Sequence, residues 1–584
     1  MEKRLNYLIK EDNFKSKMNE AFVMTNSDTD VIDIGTMGNL EKLDELYVDI
    51  DGHLESLEKK SMSSSGVVSG LRGTGKTHLL LLARERINRN NEKNFCFYIN
   101  LKQLNFPEQS DLDATNKIFS MKIYEEISKQ LLHTFNETEY PFFSFIKKNK
   151  GKLKIQEAII FLAKCRFIAS IGNITINSDE KMEVEKEQTL EYITESMKKI
   201  NMKLSMTGNG TINTELNETE VLKDLDRIMT KSNMTRYFDV STFNENMKEL
   251  LIILEKDTFT FYFDDWEKLK NKNGNLQEKL SKFIDIININ PIFIWIGVVP
   301  GRGDLHSLIH GSDLPHRIDL DDNLIFEKSV EEGKKCKKYF MELIEKRLNY
   351  YVPSNHLKAT DLLTTSNLLL LIHASMGNSR DFLNMLSNSW DSYFSINKAS
   401  KGRTYQKISN SMVISSIEKI GKQKNENITT KPEVMDIWND IKEFCLEKEY
   451  SHFAIETNYT NNNLVRHEWF EELIYQRIIH KRRAGLSQKV TSSHDIDIYA
   501  INYSMIYDRV TGRNKKIDFV FDSEIIHNKI RRYIYSPEII FSTIESRLNQ
   551  ITKCKNCGKE VNKNDNEYMW KQKVCPSCGS ELDI

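Results

Sequence analysis

The chain alternates between short apolar runs and longer segments with helical periodicity. Val67-Val68 forms a short apolar run, and His78 to Arg84 is a strong helix start. Phe95 to Leu101 is a second apolar run, and the stretch from about Ala114 is mostly helical in pattern. The order strand, helix, strand predicts a parallel α/β unit.

Apolar runs at 259–263 and 292–299 predict that the same sheet resumes later in the chain. The pattern between 325 and 400 is helical, and 433–550 mixes helix and strand patterns. A polar stretch near 422–432 predicts a linker between them.

One region departs from this alternation. Residues 169–177 and 203–212 show period-two patterning with Gly-Asn punctuation, around a helical segment near 186–203. This favours two short strands in an insertion at about 140–245, with a polar loop as the alternative.

Composition sets broad limits. The chain has 584 residues, 28% charged and 39% hydrophobic, with a net charge of −2. This is ordinary globular composition, long enough for about three to four modules. The near-zero charge gives no global nucleic-acid footprint, so any basic surface is local. The polar start and the short apolar runs argue against a signal peptide or membrane span, so we expect a cytoplasmic protein.

A complete phosphate-binding loop follows the first strand, with the pattern G-x-x-x-x-G-K-[ST]. Backbone N–H groups in such a loop bind phosphate oxygens, and the following helix N-terminus faces them. Lys76 would reach the β- and γ-phosphates of ATP, and Thr77 would bind Mg²⁺. The predicted nucleotide-binding residues are Gly70, Arg72, Gly73, Thr74, Gly75, Lys76, Thr77 and His78.

The strand at 259–263 ends in Asp264-Asp265-Trp266-Glu267. A carboxylate at such a strand tip holds Mg²⁺ together with the P-loop hydroxyl, and Asp264 suits that role. Asp265 is the candidate general base, with Glu267 as the alternative. Upstream, Leu46 to Asp49 either lines the adenine pocket or is a packing segment.

Four of the eight cysteines form two C-x-x-C pairs separated by seventeen residues. Such pairs supply four thiolates for tetrahedral, structural Zn²⁺. The predicted zinc ligands are Cys554, Cys557, Cys575 and Cys578, and the module resembles a zinc ribbon.

Three arginines are candidates for contacting phosphate. Arg380 lies in the first turn of a helix after Gly377-Asn378, where the helix dipole disfavours a cation unless it faces an anion. Arg302 and Arg317 are weaker candidates for an arginine finger, and each also fits an ordinary surface or salt-bridge role.

With these motifs in this order, the chain resembles P-loop ATPases of the AAA+ and STAND type, and within them the origin-recognition-like branch. The resemblance covers about residues 30–400. It implies that Arg380 is the sensor 2 residue of a helical lid, contacting the γ-phosphate. The strand before Pro300 ends in Gly297-Val298-Val299, without the polar sensor 1 residue of AAA+ enzymes, which predicts slow hydrolysis.

The helix, strand, turn and strand order at 464–507 resembles a winged helix, the module that follows the lid in that branch. Residues 466–555 carry a local charge of +5, with clusters at 481–483, 513–516 and 529–532 that could neutralise DNA phosphates. Winged helices also bind proteins, so both targets stay open.

The predicted fold class is therefore an α/β P-loop core with a helical lid, a winged-helix-like domain and a zinc ribbon. The predicted divisions are an N-terminal helical segment (1–60), the core (61–325), the lid (326–421), the winged-helix-like domain (433–550) and the ribbon (551–584).

Two functions fit these modules. The first is an ATP-binding, ATP-hydrolysing regulator whose nucleotide state controls DNA binding or assembly. The second is a partner-gated signalling or anti-phage defence ATPase that oligomerises with ATP and acts through a separate effector. Both imply ATP, Mg²⁺ and Zn²⁺, with a homo-oligomer or multiprotein complex, and neither implies a membrane.

Overall fold

The computed structural model of the protein describes most of the chain. The described residues are 5, 12–23, 40–104, 112–136, 145–171, 179–206, 218–232, 240–269, 276–321, 324–399, 405–487, 494–506, 517–521, 523–548, 551–563 and 566–583.

A five-stranded, wholly parallel sheet forms the centre of the first half of the chain. Its strands are β1 (Gly66–Ser69), β2 (Asn94–Asn100), β3 (Thr258–Asp264), β4 (Ile292–Val298) and β5 (His316–Asp319), in the spatial order β2-β3-β4-β1-β5. β1 to β4 are nearly all apolar and buried, as expected for a sheet covered on both faces. The strand tips therefore meet at one edge, where ligands bind in such sheets.

Ten helices precede or surround this sheet in the described part of the chain. They are α1 (Asp12–Val23), α2 (Leu40–Leu46), α3 (His53–Ser61), α4 (Lys76–Asn90), α5 (Leu112–Asn136), α6 (Phe145–Ile171), α7 (Asp179–Met206), α8 (Glu218–Ser232), α9 (Ser241–Leu254) and α10 (Leu276–Ile287). The described part of the predicted insertion is thus helical.

The two strands predicted in that insertion are wrong where they can be examined. Residues 169–171 end α6 and residues 203–206 end α7, and the remaining predicted strand positions lie outside the described residues. Consecutive Ala169 and Ser170 are both buried, whereas a half-exposed strand buries alternate residues.

A helical lid follows the sheet. It contains α11 (Val330–Tyr351), α12 (Ala359–Leu362), α13 (Thr365–Ser375), α14 (Ser379–Ala399) and α15 (Asn410–Thr429). The linker predicted near 422–432 is wrong, because α15 continues to Thr429 and α16 begins at Pro432. Lys424 in this polar run is buried.

The next module has the element order of a winged helix. It comprises α16 (Pro432–Lys448), β6 (His452–Glu456), α17 (Tyr459–Val465), α18 (Glu468–Tyr475), β7 (Ile479–Leu486) and β8 (Ile496–Ile501). The three strands are antiparallel in the order β6-β8-β7. Three further helices follow, α19 (Tyr503–Ile506), α20 (Ser523–Asn528) and α21 (Glu538–Leu548).

The chain ends in a small module built from β9 (Ile551–Lys553), β10 (Glu560–Asn562) and α22 (Glu567–Lys571). Its own apolar cluster has only five buried members, two of them cysteines. So small a core needs an additional stabilising element such as a metal. No described helix is both long and apolar enough to cross a bilayer.

Candidate nucleotide site

The P-loop wraps around the N-terminus of α4. Gly73 and Gly75 have φ angles of 90° and 95°, in the left-handed region that favours glycine. Lys76 Nζ donates to the carbonyl oxygens of Gly70 (2.6 Å) and Leu71 (3.2 Å). The lysine side chain therefore lies along the loop that would bind the phosphates. From outside, Asp321 Oδ2 accepts a hydrogen bond from Leu71 N at 2.8 Å and fixes the loop.

Asp264 lies directly beside the P-loop. Thr77 Oγ1 donates to Asp264 Oδ2 at 2.6 Å, although the two residues are 187 positions apart in the chain. Tyr98 Oη donates to the same oxygen at 2.9 Å, and Asp265 N donates to Asp264 Oδ1 at 2.9 Å. A hydroxyl and a buried carboxylate in this arrangement are the donor set that Mg²⁺ uses in P-loop proteins.

Both candidate general bases line the same cavity. Asp265 follows the strand tip with φ 59°, a left-handed angle that is uncommon for a non-glycine residue. Glu267 is 4% exposed, and its Oε2 has no hydrogen-bond partner among the described residues. Asp265 and Glu267 therefore both remain candidates for the general base.

The segment before the P-loop forms part of the cavity wall. Tyr47 and Val48 line it, which favours the pocket interpretation of the 46–49 stretch. His78 lines the cavity too, but its Nε2–H donates to Leu43 O at 2.8 Å, so this ring joins α2 to α4. Burial lowers the pKa of His78 to about 4, and the ring is therefore neutral near pH 7.

The lid brings Arg380 to the P-loop. Arg380 N donates to Gly73 O at 3.3 Å, and Asn378 Nδ2 donates to Arg72 O at 2.9 Å. A Cβ atom added to Gly73 would lie 2.4 Å from Arg380 Cβ, so only glycine permits this approach. P-loop, Asp264 and Arg380 therefore meet in one cavity between the core and the lid.

Asp381, the next residue, points away from the P-loop into the C-terminal half. It is 2% exposed and accepts hydrogen bonds from Arg477 Nε (3.1 Å), Arg477 Nη2 (2.9 Å) and Lys424 Nζ (2.7 Å). Burial would raise the pKa of Asp381, but Arg477 and Lys424 outweigh it and hold this pKa well below its usual range. A buried, fully paired carboxylate thus joins the lid to the end of α18.

The helix α18 also packs on the nucleotide core. Glu472, which is buried, forms ion pairs with Arg302 and with Lys431. The Arg302 guanidinium lies 4.2 Å from the Tyr475 ring centroid, and that of Arg72 lies 5.6 Å from it. Arg302 is therefore a contact between modules in this structure.

The other arginine-finger candidate, Arg317, stays within the core. It pairs with Asp319 at 2.7 Å and donates to Ser69 Oγ at 3.1 Å. These contacts match the salt-bridge alternative that the sequence left open.

The basic clusters predicted for DNA contact are partly used inside the protein. Arg482 is buried and pairs with Glu327, and it also donates to Met376 O at 3.1 Å. Lys481 pairs with Asp497 at 2.5 Å, whereas the cluster at 513–516 lies outside the described residues. The charge count along the sequence therefore overstates the basic surface.

The four predicted zinc ligands converge at the end of the chain. Their sulfur atoms all lie within 4.8 Å of one another. The Sγ atoms of Cys554 and Cys578 are 3.5 Å apart, and those of Cys557 and Cys575 are 3.7 Å apart. Tetrahedral Zn–S bonds of about 2.3 Å place sulfurs about 3.8 Å apart, so the cluster fits Zn²⁺.

Three contributing residues were missed from the sequence. Tyr98 was part of an apolar run, Asp321 followed an unpredicted strand, and Gly297 carried no side chain to notice. A Cβ at Gly297 would lie 2.6 Å from Asp264 Oδ1, so glycine is required at this position. It lies at the end of the strand where AAA+ enzymes have the polar sensor 1 residue. Only the tertiary contacts reveal these roles.

Comparison with solved structures finds similar chains. The structure is similar to that of the Aeropyrum pernix Orc1 protein in complex with DNA, with 12% sequence identity and a TM-score of 0.31. The match covers 83% of this chain and 94% of that chain. No family model matches the chain. No curated protein matches it.

Proposed function

We propose that the chain is an ATP-binding and ATP-hydrolysing regulator of the AAA+ or STAND type, whose nucleotide state controls DNA binding or assembly through its C-terminal half. The observation that carries this proposal is the convergence of Lys76, Thr77, Asp264 and Arg380 in one cavity between core and lid. Asp264 lies 187 positions after Thr77, and Arg380 lies 116 positions after Asp264, so chance adjacency is a poor explanation.

Each group has a role that its chemistry supports. Lys76 and the P-loop amides bind the β- and γ-phosphates, and Thr77 with Asp264 holds Mg²⁺. A Mg²⁺ ion held there would supply positive charge against the phosphate oxygens. Asp265 or Glu267 orients the attacking water, and Arg380 stabilises the γ-phosphate from the lid.

The nucleotide state reaches the C-terminal half through α14. Arg380 faces the nucleotide cavity while its neighbour Asp381 is paired with Arg477. A ligand shifts a conformational equilibrium only through differential contacts, and Arg380 gives ATP a contact that ADP lacks. Lid movement therefore repositions the winged-helix-like module.

A partner protein is the second candidate for the target, and one observation favours it. Winged helices commonly place a helix such as α18 in the DNA major groove. Here α18 has the sequence EWFEELIY, with three glutamates and no basic residue, and it packs on the ATPase core. Such a helix repels phosphate, so DNA contact would need other surfaces of this half.

The test is steady-state ATPase activity with and without duplex DNA. Lys76→Ala is the inactive blank, and Lys129→Ala, at an exposed lysine on α5, is the matched control. Stimulation severalfold by DNA that disappears at higher salt supports a DNA-coupled regulator. Activity that ignores DNA supports the partner-gated alternative, and failure of wild type to bind ATP refutes both.

A further inference from the structure

The nucleotide cavity contains a buried cation that the P-loop chemistry does not use. Arg347 of the lid helix α11 lines the cavity and is 7% exposed. Its Nε has no hydrogen-bond partner among the described residues. Burying a guanidinium without a partner is costly, so a ligand is the natural source of the missing acceptor.

In the part of the chain that the structure describes, no carboxylate forms an ion pair with Arg347. Burial lowers the pKa of Arg347 to about 10, and the groups that oppose this shift are the hydroxyls of Tyr351 and Tyr339. A lysine could lose its proton here, but arginine stays charged at neutral pH. Arg347 is therefore a permanent donor held inside the cavity wall.

The backbone of Arg347 lies away from the part of α11 that contacts the first turn of α14. Tyr339, earlier on α11, hydrogen-bonds through its hydroxyl to Ser379 at 2.8 Å, next to Arg380. Eight residues of helix carry Arg347 about 12 Å beyond this point. There the neighbouring Lys346 Nζ donates to Tyr47 O at 2.5 Å, on the segment before the P-loop that also lines the cavity.

We infer that Arg347 binds the purine base of the nucleotide and is a specificity-determining residue of this site. The inference rests on the proposed nucleotide-binding function. Guanidinium donates only, and the acceptors that a purine base offers it are ring nitrogens and, in some purines, a carbonyl oxygen. Tyr47 and Leu343, which also line the cavity, supply apolar surface for the base.

The experiment compares Arg347→Met with wild type in three measurements. These are ATP affinity, affinity for inorganic tripolyphosphate, which has phosphates but no base, and the thermal midpoint without nucleotide. We expect ATP affinity to fall about tenfold, the effect of one charge-assisted hydrogen bond. Tripolyphosphate affinity stays the same, and the thermal midpoint stays the same or rises because an uncompensated buried charge is removed.

Controls separate the possible failures. Lys338→Met, at an exposed lysine on the same helix, leaves all three quantities unchanged. The inference is overturned if Arg347→Met binds ATP normally, or if its affinity for tripolyphosphate falls as much as its affinity for ATP. A marked fall in the thermal midpoint of Arg347→Met overturns it too. Wild type that binds neither ligand refutes the proposed function instead.

Discussion

Arg477 lies in the C-terminal half, yet its replacement should slow ATP hydrolysis. Arg477→Gln removes both guanidinium hydrogen bonds to the buried Asp381 and leaves it paired only with Lys424. Breaking a buried ion pair costs about 3–5 kcal/mol, and the remaining lysine places this case near the lower limit. Part of this free energy should be lost from the positioning of Arg380, because Arg380 precedes Asp381 in the first turn of α14.

A coupling of about 1–2 kcal/mol at Arg380 corresponds to roughly a 5- to 30-fold fall in kcat. The assay is a double-mutant cycle on kcat and KM with wild type, Arg477→Gln, Arg380→Ala and the double variant. Arg477→Gln should lower kcat about tenfold alone and have no further effect when Arg380 is already absent.

A control and a refuting result complete the cycle. Arg547→Gln removes a 2.6 Å ion pair with Asp436 inside the C-terminal half and leaves the pairing of Asp381 intact, so it should leave kcat unchanged. If Arg477→Gln reduces kcat by the same factor with and without Arg380, the arginine acts by general destabilisation and the coupling argument is wrong.

Three further outcomes follow from the site. Tyr98→Phe removes one of the hydrogen bonds to Asp264 and should raise the Mg²⁺ concentration needed for half-maximal ATPase activity severalfold, measured by magnesium titration. Cys557→Ser should release zinc, detected with a chromogenic chelator, and make the terminal module sensitive to protease. Lowering the pH from about 6.5 to about 4 should destabilise the protein by up to about 3 kcal/mol through His78, because its buried ring stays neutral while the unfolded chain binds a proton. Denaturant unfolding should show that the free energy of unfolding of His78→Gln falls less steeply over this pH range.

Each of these outcomes can fail. An unchanged magnesium titration in Tyr98→Phe means that its hydroxyl does not order Asp264. Zinc content equal to wild type in Cys557→Ser removes this cysteine from the ligand set. An identical pH dependence in His78→Gln means that other histidines account for the acid sensitivity.

Local motifs made much of the site predictable. The P-loop and the paired C-x-x-C spacing each carry their chemistry in a few adjacent residues, and the structure brings the four cysteines together. The strand that ends at Asp264 was predictable because an apolar run ends in carboxylates. In such cases the physical requirement is local, so the sequence shows it directly.

Features that depend on a distant partner were missed. The polar run containing Lys424 looked like a solvated linker, because its compensating charge, Asp381, lies 43 positions earlier. Arg482 looked like part of a DNA-binding cluster, but Glu327 neutralises it inside the protein. Arg347 gave no signal, since an arginine in an amphipathic helix is normally exposed.

Hydrogen–deuterium exchange of α18 tests the central claim most directly, that the nucleotide state changes how the C-terminal half docks. Exchange would be followed with ATP, with ADP and without nucleotide, in wild type and Lys76→Ala. The account predicts that α18 protection differs between ATP and ADP in wild type and does not respond to nucleotide in Lys76→Ala. Protection of the P-loop by ATP together with identical α18 exchange in all states would contradict it.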